Sequence, residues 1–215
     1  LVDLGELNIA EAENAIKKMS RLCVKMFDGF IDVLENPTKD MSAQVKALKG
    51  IEDESDLMMQ EITQYLVRCS SKDIGPANAN RIAHMLRITQ EAEECADCIY
   101  RLVKLNERRY KKDRQFTQEQ QETIREFAGS ISHFISFADQ NLLANISPED
   151  MAKVEAMKKM ASTMRKKFNK SAMKRMSNGD LKLEMLNIDI NNHFDAVSNH
   201  ALHIVQASKM MHEEA

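Results

Sequence analysis

Apolar residues recur along this chain at alternating spacings of four and three, and this periodicity constrains the fold more than any other feature. The first segment carries them at Ala12, Ile16, Met19, Cys23, Met26, Phe30 and Val33. The second carries them at Met41, Val45, Leu48, Met59, Ile62, Leu66 and Cys69, with Ser55 in one of the same positions. Because such spacing collects side chains on one stripe of an α-helix, both segments are predicted to be helices that bury that stripe.

Turn-forming residues divide the chain into six such segments, with breaks at Asn36-Pro37, 71–76, 113–117, 147–150 and 177–180. The last four predicted helices cover 76–111, 117–145, 148–176 and 179–212. Several helices would be about 30 residues or ~45 Å long, and long helices with short joints are typical of antiparallel bundles. The 6 glycines and 3 prolines are too few for the many turns of a β-rich fold.

The two halves of the chain have similar segment lengths in the same order. Late in the third segment Glu93 precedes Asp97 by four residues, and late in the sixth Asp195 precedes Asn199 by four. We therefore predict an all-α fold made of two pseudo-repeated antiparallel three-helix bundles of long helices. The first bundle would comprise residues 1–112 and the second residues 113–215.

Carboxylates interrupt the apolar columns of three of these helices. The columns, read every seven residues, are Val45-Glu52-Met59-Leu66, Ala79-Leu86-Glu93-Tyr100 and Leu181-Ile188-Asp195-Leu202. Each acid is followed one turn later by a second oxygen-bearing side chain, namely Asp56, Asp97 or Asn199. A buried carboxylate is costly without a partner, so each of these acids should have one.

Two kinds of partner fit this pattern. One is a cationic side chain of a neighbouring helix, such as Arg68, Arg87 or Arg101. The other is a divalent metal ion, with Mg²⁺, Mn²⁺, Fe or Zn²⁺ as candidates, because carboxylate oxygens suit hard and intermediate cations. The predicted metal ligands are Glu52, Asp56, Glu93 and Asp97, with Asp195 and Asn199 as weaker candidates. In the fifth helix Glu155 is followed at i+4 by Lys159, so no metal is expected there.

Cysteine and histidine residues offer a second, less specific metal signal. Cys95 and Cys98 form a Cys-x-x-Cys, but a single such pair lacks the further ligands that zinc needs, and small packing residues are the simpler interpretation. His200 and His203 lie near Asp195 in sequence and could join a metal site. A capping or surface role is the alternative.

The fifth helix has a basic face formed by Lys166, Lys167, Lys170, Lys174 and Arg175. It is interpreted either as a solvated face or as a contact for anionic lipid or an acidic partner. Nucleic acid is not predicted as a partner, because the formal net charge is -3 and aromatic residues do not alternate with the basic ones.

Enzymatic activity is not predicted. The sequence has neither a glycine-rich phosphate loop nor a Gly-x-Ser-x-Gly nucleophile motif. A di-metal helical-bundle enzyme is an alternative that so few histidines disfavour. No apolar run approaches the ~20 residues of a membrane span, and four cysteines within apolar patterns are typical of reduced thiols in a cytosolic protein. The sequence therefore predicts a regulatory or binding module.

Several segments together resemble the PhoU-like domain family. The segment 51–66 (IEDESDLMMQEITQYL) is similar to the second helix of that family, and HMLRI at 84–88, running on to Glu93 and Asp97, is similar to its third. MRKKF at 164–168 and KRMSNG at 174–179 resemble the fifth helix and its exit, and FDAVSNHA at 194–201 resembles the last motif.

This resemblance implies two three-helix bundles whose acid-xxx-Asp motifs can hold metal clusters, in a protein that regulates phosphate uptake. Glu52 with Asp56 and Glu93 with Asp97 match the motif. In the second half only Asp195 is retained, and Asn199 stands in the Asp position.

Within that family the chain resembles most the C-terminal cytoplasmic domain of sodium/phosphate cotransporters. Its joint at 70–79 lacks the Gln-Pro-Val-Ala-like element of stand-alone PhoU proteins, and it opens at Leu1 rather than Met. The expected partners are a transporter domain of the same polypeptide, an anionic membrane surface and a second copy, at the cytoplasmic face of the membrane. The alternative is a stand-alone PhoU-type regulator of phosphate uptake and signalling.

Overall fold

The chain folds into long helices, as its periodicity predicts. The computed structural model describes residues 4–36, 40–71, 73–112 and 114–213, and these ranges contain six helices and no strand. The helices are α1 (Leu4–Glu35), α2 (Ser42–Ser70), α3 (Gly75–Lys111), α4 (Gln118–Gln140), α5 (Pro148–Arg175) and α6 (Leu181–Met210). The all-α prediction is confirmed. The expectations that concern Leu1, Pro37 and Asp113 lie outside the described residues.

Side-chain caps start the three helices of the second half. Thr117 and Gln120 form a capping box at α4, and Ser147 accepts a hydrogen bond from the backbone N–H of Asp150 just before Pro148, as predicted. Asp180 caps α6 in the same way. These caps satisfy backbone N–H groups that have no partner within their own helix.

Helix α4 ends five residues before the predicted Asn145. Asn141 is its C-cap, and in the turn that follows Leu143 adopts a positive φ of 63°. Its backbone N–H donates to Ser208 Oγ at 3.0 Å, and its carbonyl oxygen lies 2.8 Å from His212 Nε2. The turn is therefore fastened to the end of α6, a tertiary contact that local periodicity does not reveal.

Helices α3 and α6 lie side by side at the centre of the molecule. Helix α3 also packs against α1 and α2, α6 also packs against α4 and α5, and α1 contacts α4. One cluster of buried apolar side chains includes residues from all six helices. The division into repeats at residues 112 and 113 stays a prediction.

Four phenylalanine rings join the two halves of the chain. The Phe194 ring of α6 is fully buried and lies 5.0 Å from the Phe127 ring of α4, centroid to centroid. It also lies 5.9 Å from Phe30 and 6.2 Å from Phe27, both in α1. Aromatic pairs at such distances stabilise a core beyond the area they bury. The aromatic cluster therefore packs α1 and α4 against α6.

Candidate functional site

The acids predicted to bind metal lie on the packed pair α2 and α3. Glu52 is only 6 % exposed, and one carboxylate oxygen each from Glu52, Asp53 and Asp56 lies within 4.8 Å of the others. Glu93 of α3 is half-buried and reaches Asp56 across the helix interface. The structure therefore brings Glu52, Asp56 and Glu93 to one face. Asp53 is a further carboxylate of this face; it is exposed, and the apolar columns of the sequence did not identify it.

Crowding of negative charge is strongest at Glu93. Burial raises the pKa of Glu93 to about 7, and the hydrogen bond with Asp56 and the charges of Asp56 and Asp97 contribute in the same direction. Its protonated carboxyl donates to the Asp56 carboxylate. In the described part of the chain neither Asp56 nor Glu93 forms an ion pair with Lys or Arg. A divalent cation between these two carboxylates would therefore be favourable.

Two basic side chains compete for the outer acids of this face. Lys49 Nζ lies 2.5 Å from Glu52 Oε2 and 3.1 Å from Asp53 Oδ1, and it also lies over the Tyr100 ring. The hydrogen bond to Glu52 raises the pKa of Lys49 further above its usual range. Arg101 pairs with Asp97 at 3.1 Å, but both residues lie on α3, whereas the ion-pair alternative expected a cation from a neighbouring helix. Glu52 and Asp97 are thus partly neutralised without metal.

The donor set fits a hard or intermediate divalent ion. It consists of carboxylate oxygens from two helices, and Ser55, fully buried on the same stretch of α2, has no hydrogen-bond partner for its Oγ among the described residues. Asp56 and Glu93 would be the central ligands of such an ion, and Glu52 and Asp97 would join them by exchanging Lys49 and Arg101 for the metal. The ion would neutralise the crowded charge.

The corresponding acid of the second half already has partners. Asp195 lies 2.8 Å from Lys158 Nζ and 3.3 Å from Arg165 Nε, and both cations come from α5. Two cationic groups at one carboxylate leave little reason for a metal ion to bind. Asn199 is half-buried and adds no charge. The weak expectation of a site at Asp195 and Asn199 is therefore not supported by this geometry.

The basic face of α5 contains four exposed lysines and one paired arginine. Lys166, Lys167, Lys170 and Lys174 are exposed and form no ion pair within the described ranges. Arg175, in contrast, donates to the buried Glu184 at 2.8 and 3.0 Å, and this contact raises the pKa of the guanidinium. Arg175 is therefore paired within the bundle, and its part in a lipid or partner face stays a prediction.

The described helices include none that combines the length and the apolar character needed to cross a membrane.

Cys95 and Cys98 do not act as a pair. Cys95 is buried and contacts Cys23 of α1, and this contact together with burial raises the pKa of the Cys95 thiol. Cys98 faces α6, where its Sγ lies 3.9 Å from His200 Nε2. The packing interpretation of Cys95 agrees with this arrangement.

Sequence reasoning missed the neighbour of the two histidines of α6. His200 and His203 do not contact Asp195; both turn their Nδ1 atoms toward Glu91 of α3, at 2.7 and 3.2 Å. Their spacing of three residues placed them on one face of α6, but only the packing of α6 on α3 shows that this face meets Glu91.

Comparisons with known proteins agree with the resemblance noted in the sequence. The PhoU domain family model matches residues 16–105, which include most of α1, all of α2 and the acids of α3. No curated protein matches the sequence. The crystal structure of PhoU from Pseudomonas aeruginosa superimposes with a TM-score of 0.86 at 11 % identity, over 96 % of this chain and 97 % of that one.

A second similar structure is that of the phosphate transport system regulatory protein PhoU from Streptococcus pneumoniae. It has a TM-score of 0.83 and 10 % identity, and 96 % of each chain is covered. At such low identities these two structures show the fold alone. The chain therefore has the PhoU fold, and its residues 16–105 carry the sequence pattern of a PhoU domain.

Proposed function

We propose that this chain is a PhoU-type regulator of phosphate transport and not an enzyme. The observation that carries the proposal is the PhoU domain match over residues 16–105, the part of the chain that also contains the acidic face. The fold supports it, since two PhoU structures match nearly their full lengths. Regulation would act through binding and conformation, because the acidic face offers carboxylate ligands for a cation.

Such a regulator could be a stand-alone protein or a domain of a sodium/phosphate cotransporter, and experiment can distinguish the two. The comparisons are with PhoU proteins, and none of them links this chain to a sodium/phosphate cotransporter, so they favour the stand-alone interpretation. An antibody against the chain tests it in fractionated host cells. A soluble band near 24.6 kDa supports the stand-alone protein. A larger band confined to membranes supports a domain of a transporter.

Deleting the coding region of this chain tests the regulatory role. Phosphate uptake should then no longer fall when external phosphate is abundant, and a plasmid copy should restore the response. Uptake of labelled phosphate is the measurement. An unchanged response in the deletion strain would refute the proposal. The acid-face double variant Asp56→Asn/Glu93→Gln, supplied as the plasmid copy, shows whether the response depends on this face.

The proposed cofactor is a divalent ion on the acidic face, with Mn²⁺ or Fe²⁺ as the first ions to test. Calorimetric titration of the chain with Mn²⁺ should show binding that the Asp56→Asn/Glu93→Gln variant loses. Glu54→Gln is the matched control, because Glu54 is an exposed acid of the same helix. Equal Mn²⁺ affinity in the double variant and the control would reject this site.

The proposed docking face comprises Lys166, Lys167, Lys170 and Lys174. Four exposed lysines without an acidic partner in the described structure would attract an anionic membrane surface, by about 1 kcal/mol for each lysine close to it. Flotation with vesicles containing phosphatidylserine measures this attraction. Replacing the four lysines with Gln should abolish flotation, and flotation that persists would remove this face from the proposal. Self-association stays a prediction.

A further inference from the structure

We propose that Glu91, His200 and His203 form a second metal site, selective for zinc or a similar divalent transition metal, that ties α3 to α6. The three side chains come from the two central helices, one from the first half of the chain and two from the second. One ligand atom of each lies within 4.8 Å of the others. This site shares no residue with the acidic face, and the proposal does not depend on the proposed function.

The geometry converges on one small volume. His200 Nδ1 lies 2.7 Å from Glu91 Oε2, and His203 Nδ1 lies 3.2 Å from Glu91 Oε1. Ligand atoms of a tetrahedral zinc ion lie about 3.3 Å apart, given Zn–N and Zn–O distances near 2 Å. The two histidines contact different oxygens of Glu91, and one ligand atom of each residue lies within 4.8 Å of the others, so side-chain adjustments of up to about 1.5 Å would bring three ligand atoms to this spacing. Three protein ligands leave the fourth position for water.

The surroundings of Glu91 are negatively charged, and no lysine or arginine of the described residues neutralises them through an ion pair with Glu91. Glu52, Asp97 and Asp195, in contrast, each form an ion pair with Lys or Arg. Glu94 lies 3.8 Å from His200 Nδ1 and adds a second negative charge. The side chains of Glu91 and His200 are 16 % and 17 % exposed, which shields the charge while leaving a path from solvent.

Cys98 completes the arrangement as an outer partner of His200. Its Sγ lies 3.9 Å from His200 Nε2, the ring nitrogen that remains when Nδ1 binds a metal. Histidine ligands usually donate this second N–H to a neighbouring group, which fixes the ring and its tautomer. Cys98 can accept that hydrogen bond without binding the metal itself.

Nitrogen ligands determine which metal the site selects. Imidazole nitrogen suits zinc and other transition metals, whereas Mg²⁺ requires oxygen ligands. A metal here would replace the hydrogen bonds between Glu91 and the two histidines, and it would release protons from the Nδ1 atoms. Because the ligands come from two helices, binding would link the two halves of the chain.

Zinc titration in the Asp56→Asn/Glu93→Gln background tests the proposal apart from the acidic face. One Zn²⁺ per chain should bind, and the Tm should rise by roughly 5–10 °C at zinc about 100-fold above its Kd. Mg²⁺ should not change the Tm in this way. The absence of zinc binding in this background would overturn the proposal, whatever happens to phosphate regulation.

Substitutions locate the ligands. His200→Gln and His203→Gln should each lower zinc affinity at least tenfold, and Cys98→Ala by about tenfold as an outer partner. His193→Gln is the matched control on α6, because His193 Nδ1 lies 2.7 Å from a backbone carbonyl of its own helix, that of Asp189. Zinc affinity that is the same in His200→Gln and His193→Gln would overturn the assignment.

A measurement on the unsubstituted chain covers the case in which a variant fails to fold. Zinc should protect His200 and His203, but not His193, from carbethoxylation by diethyl pyrocarbonate, read by peptide mass spectrometry. Modification rates of His200 and His203 that do not change with zinc would overturn the proposal. Structural hydrogen bonds from the two histidines to Glu91 would then be their whole role.

Discussion

Replacing Arg175 with Met should destabilise the protein far more than the same replacement of its neighbour Lys174. Arg175 donates two hydrogen bonds to Glu184, through Nε at 2.8 Å and Nη2 at 3.0 Å. Gln120 Nε2 donates to the same carboxylate at 2.8 Å, which fixes Glu184 between α4 and α5. Removing the guanidinium leaves a buried carboxylate with one neutral partner.

The magnitude follows from the burial of the pair. The Glu184 side chain is 5 % exposed and that of Arg175 25 %. Removing one partner of a fully buried ion pair costs about 3–5 kcal/mol. Because water still reaches part of Arg175, we expect about 2–4 kcal/mol, or a fall in Tm of roughly 4–16 °C in a chain of this size. Lys174→Met should stay within about 0.5 kcal/mol, since Lys174 is exposed.

Urea denaturation followed by circular dichroism measures both variants. The denaturation midpoint should fall in Arg175→Met while the slope stays the same. The double variant Arg175→Met/Glu184→Met should recover much of the loss, because an apolar pair of similar volume can replace a buried ion pair. If Arg175→Met were as mild as Lys174→Met, the structural role of Arg175 would be refuted.

Three further predictions concern the core and the acidic face. Phe194→Ala should cost about 3–5 kcal/mol in urea denaturation, because the ring is fully buried, and Phe137→Ala should cost less, because that ring is half-buried. In the presence of a chelator, Glu93 binds its proton more tightly in the folded chain than in the unfolded chain, because folding raises its pKa to about 7. Its contribution to folding stability is therefore present below pH ~4.5 and is lost as the pH rises through about 7. The free energy of unfolding of the wild type minus that of Glu93→Gln, measured from pH 5 to 8, should therefore fall with rising pH. Lys49→Met should tighten Mn²⁺ binding by a factor of about 2 to 5 in calorimetry, because it removes the competitor at Glu52.

Each of these predictions has a contrary outcome. Equal costs for Phe194→Ala and Phe137→Ala would mean that the aromatic cluster is not the centre of the core. A stability difference that does not change between pH 5 and 8 would mean that Glu93 is not crowded in solution. Weaker Mn²⁺ binding in Lys49→Met would mean that Lys49 supports the site and does not compete for it.

The helices could be predicted from the sequence because their signal is local. The spacing of residues such as Ile16, Met19 and Cys23 fixes which face of α1 is buried, whatever that face packs against. Ser147 and Pro148 likewise start α5 through contacts within one turn. The early end of α4 could not be predicted, because it depends on contacts of Leu143 with α6, 65 residues away.

The acids of the candidate site could be located in the sequence, but their partners could not. An acid in an apolar column must be neutralised, and this argument identified Glu52 and Glu93. Which group neutralises each acid depends on which side chains other helices bring close. Lys158 reaches Asp195 from 37 positions away, and His200 reaches Glu91 from 109. Periodicity within one helix contains no information about these pairings.

The distribution of cations among these carboxylates gives the strongest physical argument for where metal would bind. Asp195 has two permanent cations, and a metal there would have to displace both. Asp56 and Glu93 have neither Lys nor Arg in the described structure, and the protein accommodates them by keeping a proton on Glu93 up to about pH 7. Glu91 meets two imidazoles, which can each give up a proton to become ligands. At neither of these two places would a divalent ion have to displace a paired lysine or arginine of the described structure, so these are the places where metal should bind.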